Sequence, residues 1–277
     1  MSSTDRIRLI LDNAHDRATL TATSAAPGTP VDATQRNERN RVWRSTDTAD
    51  QVIDGALPAG AFADGLAILN HNLSSSATLR LELFSGSTLQ WDSGEVSAAE
   101  IIPAGIWRAG IDPWGASYND RIDRAATLLT MPITAATSYR LTLSDAANAD
   151  GVLEVGRIVL GLAFTPEFNM SYDVETAFPD QASHEYSAGQ TLRTINGGSP
   201  RRRAQFRLDW LIPPDRAQLI EKLAQRGMIA DVFIDLYPGS SGTERLASAF
   251  MARLTTGYAD RHNLFNNRST QITFLEV

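Results

Sequence analysis

The sequence predicts a mainly β protein in two parts, and three observations carry that reading. Short runs alternate apolar and polar residues at period two, the pattern of strands with one buried face and one wet face. Helical periodicity is convincing in one place, directly after Pro213-Pro214-Asp215. The length of 277 residues exceeds the ~150 typical of a single core, so two domains are expected, 1–165 and 166–277.

Along the chain, Arg6 to Leu11 reads as a short strand. Ala22 to Arg44, with Pro27, Gly28 and Pro30 among small and polar residues, reads as a long surface loop. Ala67-Ile68-Leu69 is the end of a strand. The clearest strand is Thr78 to Phe84, where Leu79, Leu81 and Leu83 face one way and Thr78, Arg80 and Glu82 the other. Leu89 and Trp91, before the Asp92-Ser93-Gly94 turn, belong to a partner strand. From Gly94 to Asp120 the alternation fades into a long loop that carries Trp107, Trp114 and Tyr118. Tyr139 to Leu143 alternates again, and Asp145 to Gly151 is a turn. Val152 to Leu160 is almost wholly apolar apart from Glu154 and Arg157, which suits a central strand covered on both sides.

Past Pro166 the segments Asn169 to Glu175, Glu185 to Asn196 and Arg203 to Trp210 look extended. In the last of these, Phe206, Leu208 and Trp210 share one face. A helix over about 214–226 follows. Proline is tolerated in its first turn and Asp215 complements the positive end of its dipole. Leu219, Ile220, Leu223 and Ala224 form its apolar stripe, and Gly227 stands where a left-handed cap belongs. Strands near Ile229 to Tyr237, Ala249 to Thr255 and Thr270 to Val277 complete the chain.

Composition narrows the function. With 43% hydrophobic and 21% charged residues the chain is expected to be globular rather than disordered. A net charge of −7 argues against non-specific nucleic-acid binding. Lys222 is the only lysine, so the other basic residues are arginines, which pair carboxylates with a planar fork; a GC-rich coding genome would also favour them. The absence of cysteine excludes disulfides, thiolate metal sites and a cysteine nucleophile. The charged first twenty residues do not resemble a secretory signal, and no run nears the ~20 apolar residues of a membrane span. A soluble protein made in the cytoplasm, without membrane insertion, is expected.

No catalytic constellation emerges. The histidines, His15, His71, His184 and His262, are scattered without metal-ligand spacing. Gly239-Ser240-Ser241-Gly242 lacks the lysine and the architecture of a phosphate loop, and no nucleophile elbow is present. Asp145, Asn148 and Asp150 have the oxygens for calcium but also the composition of an ordinary polar turn, and no bidentate glutamate follows. An enzyme, a metal site and a cofactor are therefore not expected. Two candidate sites remain. Asn70-His71-Asn72 offers amide and imidazole groups suited to a sugar, with Trp107 and Trp114 as aromatic plates, or is a solvated strand end. Arg201-Arg202-Arg203 would meet an acidic neighbour at an assembly interface, or simply face water.

Two stretches carry a family resemblance. Asn70-His71-Asn72-Leu73-Ser74-Ser75-Ser76-Ala77-Thr78-Leu79-Arg80-Leu81 is one. The other runs from Tyr139-Arg140-Leu141 through Asn148-Ala149-Asp150-Gly151 to Val155-Gly156-Arg157-Ile158-Val159-Leu160-Gly161. Together they resemble the galactose-binding-like jelly-roll domain of tailed-bacteriophage virion proteins, departing from its pattern at Ala149, where proline is usual, and Val152, where tyrosine is usual. The last third, with Phe206, Leu208 and Trp210, a Pro-started helix and the ending Ile272-Thr273-Phe274-Leu275-Glu276-Val277, is similar to tail-tube or distal-tail proteins. The resemblance implies a jelly-roll β-sandwich followed by a second β-rich domain with one helix. It implies a non-enzymatic tail-tip or baseplate component of the virion, forming a homo-oligomeric ring and contacting other tail proteins. The alternative is a carbohydrate-binding host-adsorption module that recognises a surface glycan.

Overall fold

The computed structural model describes residues 6–38, 40–98, 109–110, 125–195, 197–240, 242–264 and 267–277. It is mostly β. The residues gather into two compact units, and the chain passes between them more than once. A jelly-roll unit takes Arg8–Phe164 and Phe233–Phe250. A second unit takes Thr165–Val232 and Met251–Val277 together with the described residues before Arg8.

Within the jelly-roll unit the strands are β1 (Arg8–Ile10), β2 (Thr19–Ala22), β3 (Trp43–Arg44), β4 (Gln51–Ala56), β5 (Phe62–His71) and β6 (Thr78–Ser85). They continue with β7 (Thr88–Asp92), β8 (Val96–Ser97), β9 (Ala126–Ala135), β10 (Ser138–Ser144) and β11 (Glu154–Gly161). One antiparallel sheet has the order β2-β4-β10-β6-β7, with β8 also on β6; the other has the order β3-β11-β5-β9. Period two does what it predicted. Leu79, Leu81 and Leu83 of β6 and Tyr139, Leu141 and Leu143 of β10 are buried against Trp43, Leu66, Ile68, Ile158 and Leu160 of the facing sheet. On the wet side, Arg80 reaches Asp92 through Nε and Nη2 at 2.9 and 2.6 Å, and Arg140 reaches Asp54 at 2.9 and 3.4 Å.

β11 is buried from Val155 to Gly161. Its second covering layer differs from the sequence expectation of a surface loop over Ala22 to Arg44. Two short 3-10 turns, Ala14–Arg17 and Val31–Gln35, pack there with His15, Val31, Ala33 and Thr34 buried, and Trp43 is fully enclosed. Small and polar residues masked this layer because its contacts are tertiary and have no periodicity. Opposite Gly156, Asn70 adopts a left-handed φ of 55°, and a Cβ at Gly156 would fall 2.9 Å from the Asn70 Cβ. β1 pairs antiparallel with the strand β16 (Val232–Asp235), matching Arg8 to Asp235 and Ile10 to Phe233, and a short helix α2 occupies Gly242–Ser248.

The second unit contains β12 (Glu175–Ala177), β15 (Arg203–Leu211), β17 (Ala249–Leu254), β18 (Asp260–Leu264) and β19 (Asn267–Glu276), with a separate hairpin of β13 (Ser183–Tyr186) and β14 (Leu192–Ile195). β19 lies between β17 and β15, and β12 pairs with the far edge of β15. Phe206 and Phe274 meet in its core with ring centroids 6.1 Å apart. The expected alternation fails at one point: a register shift between Leu208 and Leu211 buries Leu211 and turns Trp210 out to 56% exposure. Helix α1 spans Pro213–Leu219 and widens into a π-type turn over Ile220–Ala224, with Gly227 beyond it at φ 66°.

Leu219 and Leu223 are fully buried, whereas Gln225 is exposed. Leu223→Ala should therefore destabilise by about 2–5 kcal/mol. Gln225→Ala should stay within about 0.5 kcal/mol, and equal losses in denaturant melts would refute the assigned face. Because β19 has neighbours on both sides, truncation at Thr270 should leave the second unit unfolded and the protein insoluble. A soluble truncated chain with native circular dichroism would show that the strand is dispensable.

Candidate functional site

The polar triplet at the end of β5 is brought together with the Asp145–Gly151 turn, where Asn72 bonds Asp150 and the Asn148 side chain donates to the Asn72 carbonyl. His71 is buried. Its Nδ1 accepts from the Leu73 amide at 3.2 Å, and its Nε2 lies 2.9 Å from the Thr127 hydroxyl. Thr127 donates its own proton to the Ala98 carbonyl, so the hydroxyl accepts from His71 and the imidazole is the Nε2–H tautomer. Burial depresses its pKa to about 4, with the Asp145 charge only partly opposing. Neither ring nitrogen is free to bind a ligand.

Asn72 is equally committed. Its amide donates to Asp150 Oδ2 and to the Val152 carbonyl, both at 2.9 Å, and its Oδ1 accepts from the Glu154 amide at 2.7 Å. Asp145 accepts from the Ser74 amide at 2.7 Å, the Ser74 hydroxyl at 2.5 Å and the Asn148 amide at 3.0 Å. The oxygens considered for calcium thus face N–H and O–H donors that staple two loops. Among the described residues no group of three or more acidic or histidine side chains is placed to hold a metal ion. Asn70 alone of the triplet is exposed. Trp107, Trp114 and Tyr118 lie outside the described residues.

Of the arginine triplet, only Arg201 stands exposed. Arg202 donates to Glu276 Oε1 at 2.9 Å, and the two residues exchange backbone contacts, the Arg202 amide to Glu276 Oε2 and the Glu276 amide to the Arg202 carbonyl, each at 2.8 Å. Arg203 bonds Glu175 across β15 and β12. Two of the three charges therefore fasten neighbouring strands within the second unit.

A surface not singled out in the sequence stands nearby in the same unit. From Tyr172 to Arg203 no described residue is buried, although the segment contains Tyr172 (98% exposed), Phe178, Tyr186 (76% exposed), Leu192 and Ile195. β13 and β14 pair with each other and, among the described residues, with no other strand. Tyr186 faces Leu192 and His184 faces Thr194 across the hairpin. The sequence signal was apolar residues at strand spacing, which marks a sheet but does not say whether anything covers it.

No protein-family model matches the sequence, and no curated protein matches it significantly. Solved structures are similar at the level of fold. One is a family 32 carbohydrate-binding module of Clostridium perfringens NanJ in complex with galactose, with 13% identity, 56% of this chain and 98% of that chain covered, and a TM-score of 0.39. Another is a fucose-binding module of Streptococcus pneumoniae, with 9% identity, 54% and 94% coverage, and a TM-score of 0.37. A third is chitosan-binding module 1 of a Paenibacillus chitosanase/glucanase, with 13% identity, 54% and 98% coverage, and a TM-score of 0.37. These are carbohydrate-binding modules; they lend the tail-tip assignment no support, and similarity this distant does not choose a ligand.

The histidine chemistry is testable without a ligand. His15 and His71 have pKa values of about 3 and about 4 against an ordinary 6.5, in both cases chiefly through burial. The unfolded chain takes up protons that the folded chain refuses. Stability should therefore be full above pH 6.5 and fall as pH drops toward 4, on the order of 3 kcal/mol for His71 alone. Imidazole proton shifts that stay flat down to about pH 5 would agree; His71 titrating near 6.5 would mean an accessible ring.

Proposed function

We propose that this chain is a non-enzymatic assembly protein that self-associates through the arm of its second unit. One observation carries the reading: the residues from Tyr172 to Arg203 leave five large apolar side chains without cover. Full burial of a large apolar side chain is worth about 1.5–3 kcal/mol, and Phe178, Leu192 and Ile195, at 59%, 50% and 55% exposure, forgo roughly half of that. A two-stranded hairpin is marginal by itself, and among the described residues no third strand pairs with either edge, which leaves edge backbone groups to offer another chain. Tyrosine and phenylalanine are also favoured anchors at protein contacts. A tail-tip ring is the setting that the sequence resemblance supplies for this chemistry.

The alternative remains a carbohydrate-binding adsorption module built on the jelly-roll unit. The sugars bound by the similar structures, galactose, fucose and chitosan, set the ligands to be tried. In that reading Asn70 and the region around Trp107 and Trp114 carry the contacts, since His71 and Asn72 are engaged internally.

Sedimentation of the full chain over a range of concentrations decides between them. Wild type should associate, and the paired change Tyr186→Ser with Leu192→Ser should give a monomer with unchanged circular dichroism. A wild-type monomer at all concentrations would overturn the assembly reading. Saturable calorimetric binding of one of the three sugars, tighter than about a millimolar and lost on changing Asn70, would promote the alternative.

A further inference from the structure

The hairpin of β13 and β14 has two unlike edges, and the edges fit each other. Its register sets His184 opposite Thr194, Glu185 opposite Arg193 and Tyr186 opposite Leu192. Opposite residues in a ladder share a face, so Tyr186 and Leu192 stand together on one side and Glu185 and Arg193 on the other. The Ser187 amide donates to the Thr191 carbonyl at 3.0 Å. Hydrogen-bonding and non-hydrogen-bonding pairs alternate from there, so Glu185 and Arg193 point their backbone groups into the hairpin. His184 and Tyr186 therefore turn their amides and carbonyls outward from β13, and Leu192 and Thr194 do so from β14. Every residue of both strands is exposed, and among the described residues no other strand pairs with either edge.

We propose that copies of this chain join by strand addition, β13 of one pairing antiparallel with β14 of the next in the register the hairpin uses within itself, a geometry that rests on the self-association reading. In that register the outward backbone groups of His184 and Tyr186 meet those of Thr194 and Leu192 on the second copy. Glu185 stands opposite the second copy's Arg193, and Tyr186 opposite its Leu192, both favourable cross-strand pairs. Like edges fit badly. A twofold axis at Glu185 sets two glutamates against each other across a pair of β13 strands, and one at Arg193 does the same with two arginines across a pair of β14 strands. Moving the axis by one residue, to His184 or Thr194, sets each charge against Ser183 or Ile195 instead. An edge complementary to the unlike edge makes a head-to-tail contact. Such a contact closes into a ring or runs on as a filament, because any open chain of copies still offers a free edge at each end.

The sequence contains no cysteine, so introduced thiols report the contact without background. Residues opposed across a ladder lie about 5.5 Å apart at Cα when hydrogen-bonded, within reach of a disulfide. His184→Cys and Thr194→Cys are carried by separate full-length chains, because the two positions also face each other within one hairpin. Each chain is oxidised alone and in an equimolar mixture, and the linked peptides are identified by mass spectrometry. The expected result is a disulfide joining position 184 to position 194 in the mixture, and none in either chain alone. Links between like positions in the separate chains would overturn the head-to-tail register while leaving self-association intact. Wild type that sediments as an oligomer, with no link in the mixture, would do the same, as would assembly that stops at a dimer. A wild-type monomer at all concentrations would overturn both this geometry and the reading it rests on.

Discussion

Arg157 is a guanidinium only 2% exposed in the middle of a strand that is otherwise a hydrophobic core element, and the jelly-roll unit is arranged around meeting its needs. Its two terminal nitrogens bind Asp16 at 2.5 and 2.7 Å, and Nη1 also reaches the Thr34 carbonyl at 3.1 Å. Both partners come from the two short turns that cover β11, so the ion pair fixes where the N-terminal segment must lie. His15, within the same layer, accepts from the Tyr139 hydroxyl at 2.6 Å and donates to Thr34, whose own proton goes to the Val31 carbonyl. Tyr139 belongs to the opposite sheet, so this polar chain runs through the sandwich from one sheet to the cover of the other. Gly55 makes room for it: a Cβ there would fall 2.2 Å from the Tyr139 ring. Among the described residues Arg157 Nε finds no partner, whereas both terminal nitrogens do; with any of those partners removed, further buried groups become liabilities.

That constraint explains which parts of the fold could be read from the sequence. Thr78 to Phe84 and Tyr139 to Leu143 declared themselves because a two-sheet sandwich imposes period two on every strand that has one wet face. The run from Val152 to Leu160 showed its double burial through continuous apolar character. The layer over β11 was hidden because it is held by single contacts: Trp43 Nε1 to the Ser24 carbonyl at 3.0 Å, Asn13 to the Ile158 carbonyl at 3.0 Å, and the Arg157 pair. Such contacts join residues far apart in sequence and leave no periodic trace. The placement of Trp210 failed for a related reason, since one register shift within a strand exchanges the two faces beyond it. The return of Phe233–Phe250 to the jelly-roll unit is likewise a tertiary fact, carried by the pairing of β16 with β1.

The candidate site shows the same limit from the side of function. Asn, His, Ser and Asp are the residues that would bind a sugar, and they are also the residues that pin loops together. A polar cluster at a strand end is consistent with both. What separates the two is whether donors and acceptors have partners inside the chain, and at His71, Asn72 and Asp145 they do. The arginine triplet resolves in the same way, with two members consumed in strand-to-strand pairs. The arginine-rich composition acquires a structural use at Arg80 and Arg140, where a forked side chain grips a carboxylate across strands in a manner a single ammonium does not reproduce.

The opposite logic applies to the arm of the second unit. Polar groups that have found internal partners have little left for a ligand, whereas apolar groups that have found none still have their hydrophobic free energy to release. Scattered exposed apolar residues need no explanation on a protein surface. Here, however, five of them belong to one segment with no buried residue among those described between Tyr172 and Arg203, and three of the five lie on a hairpin that, among the described residues, pairs with no other strand. The 30-odd residues of this segment are ordered at an entropic cost of about 1–2 kcal/mol each for the backbone alone, with little burial inside the chain to offset it. The balance is restored if the arm gains its burial from a second protein surface. The free edges of β13 and β14 would then continue into another chain while Tyr186 and Leu192 supply the apolar contact. On that argument the exposed arm, rather than the polar triplet that first drew notice, is where this protein has binding free energy still to realise.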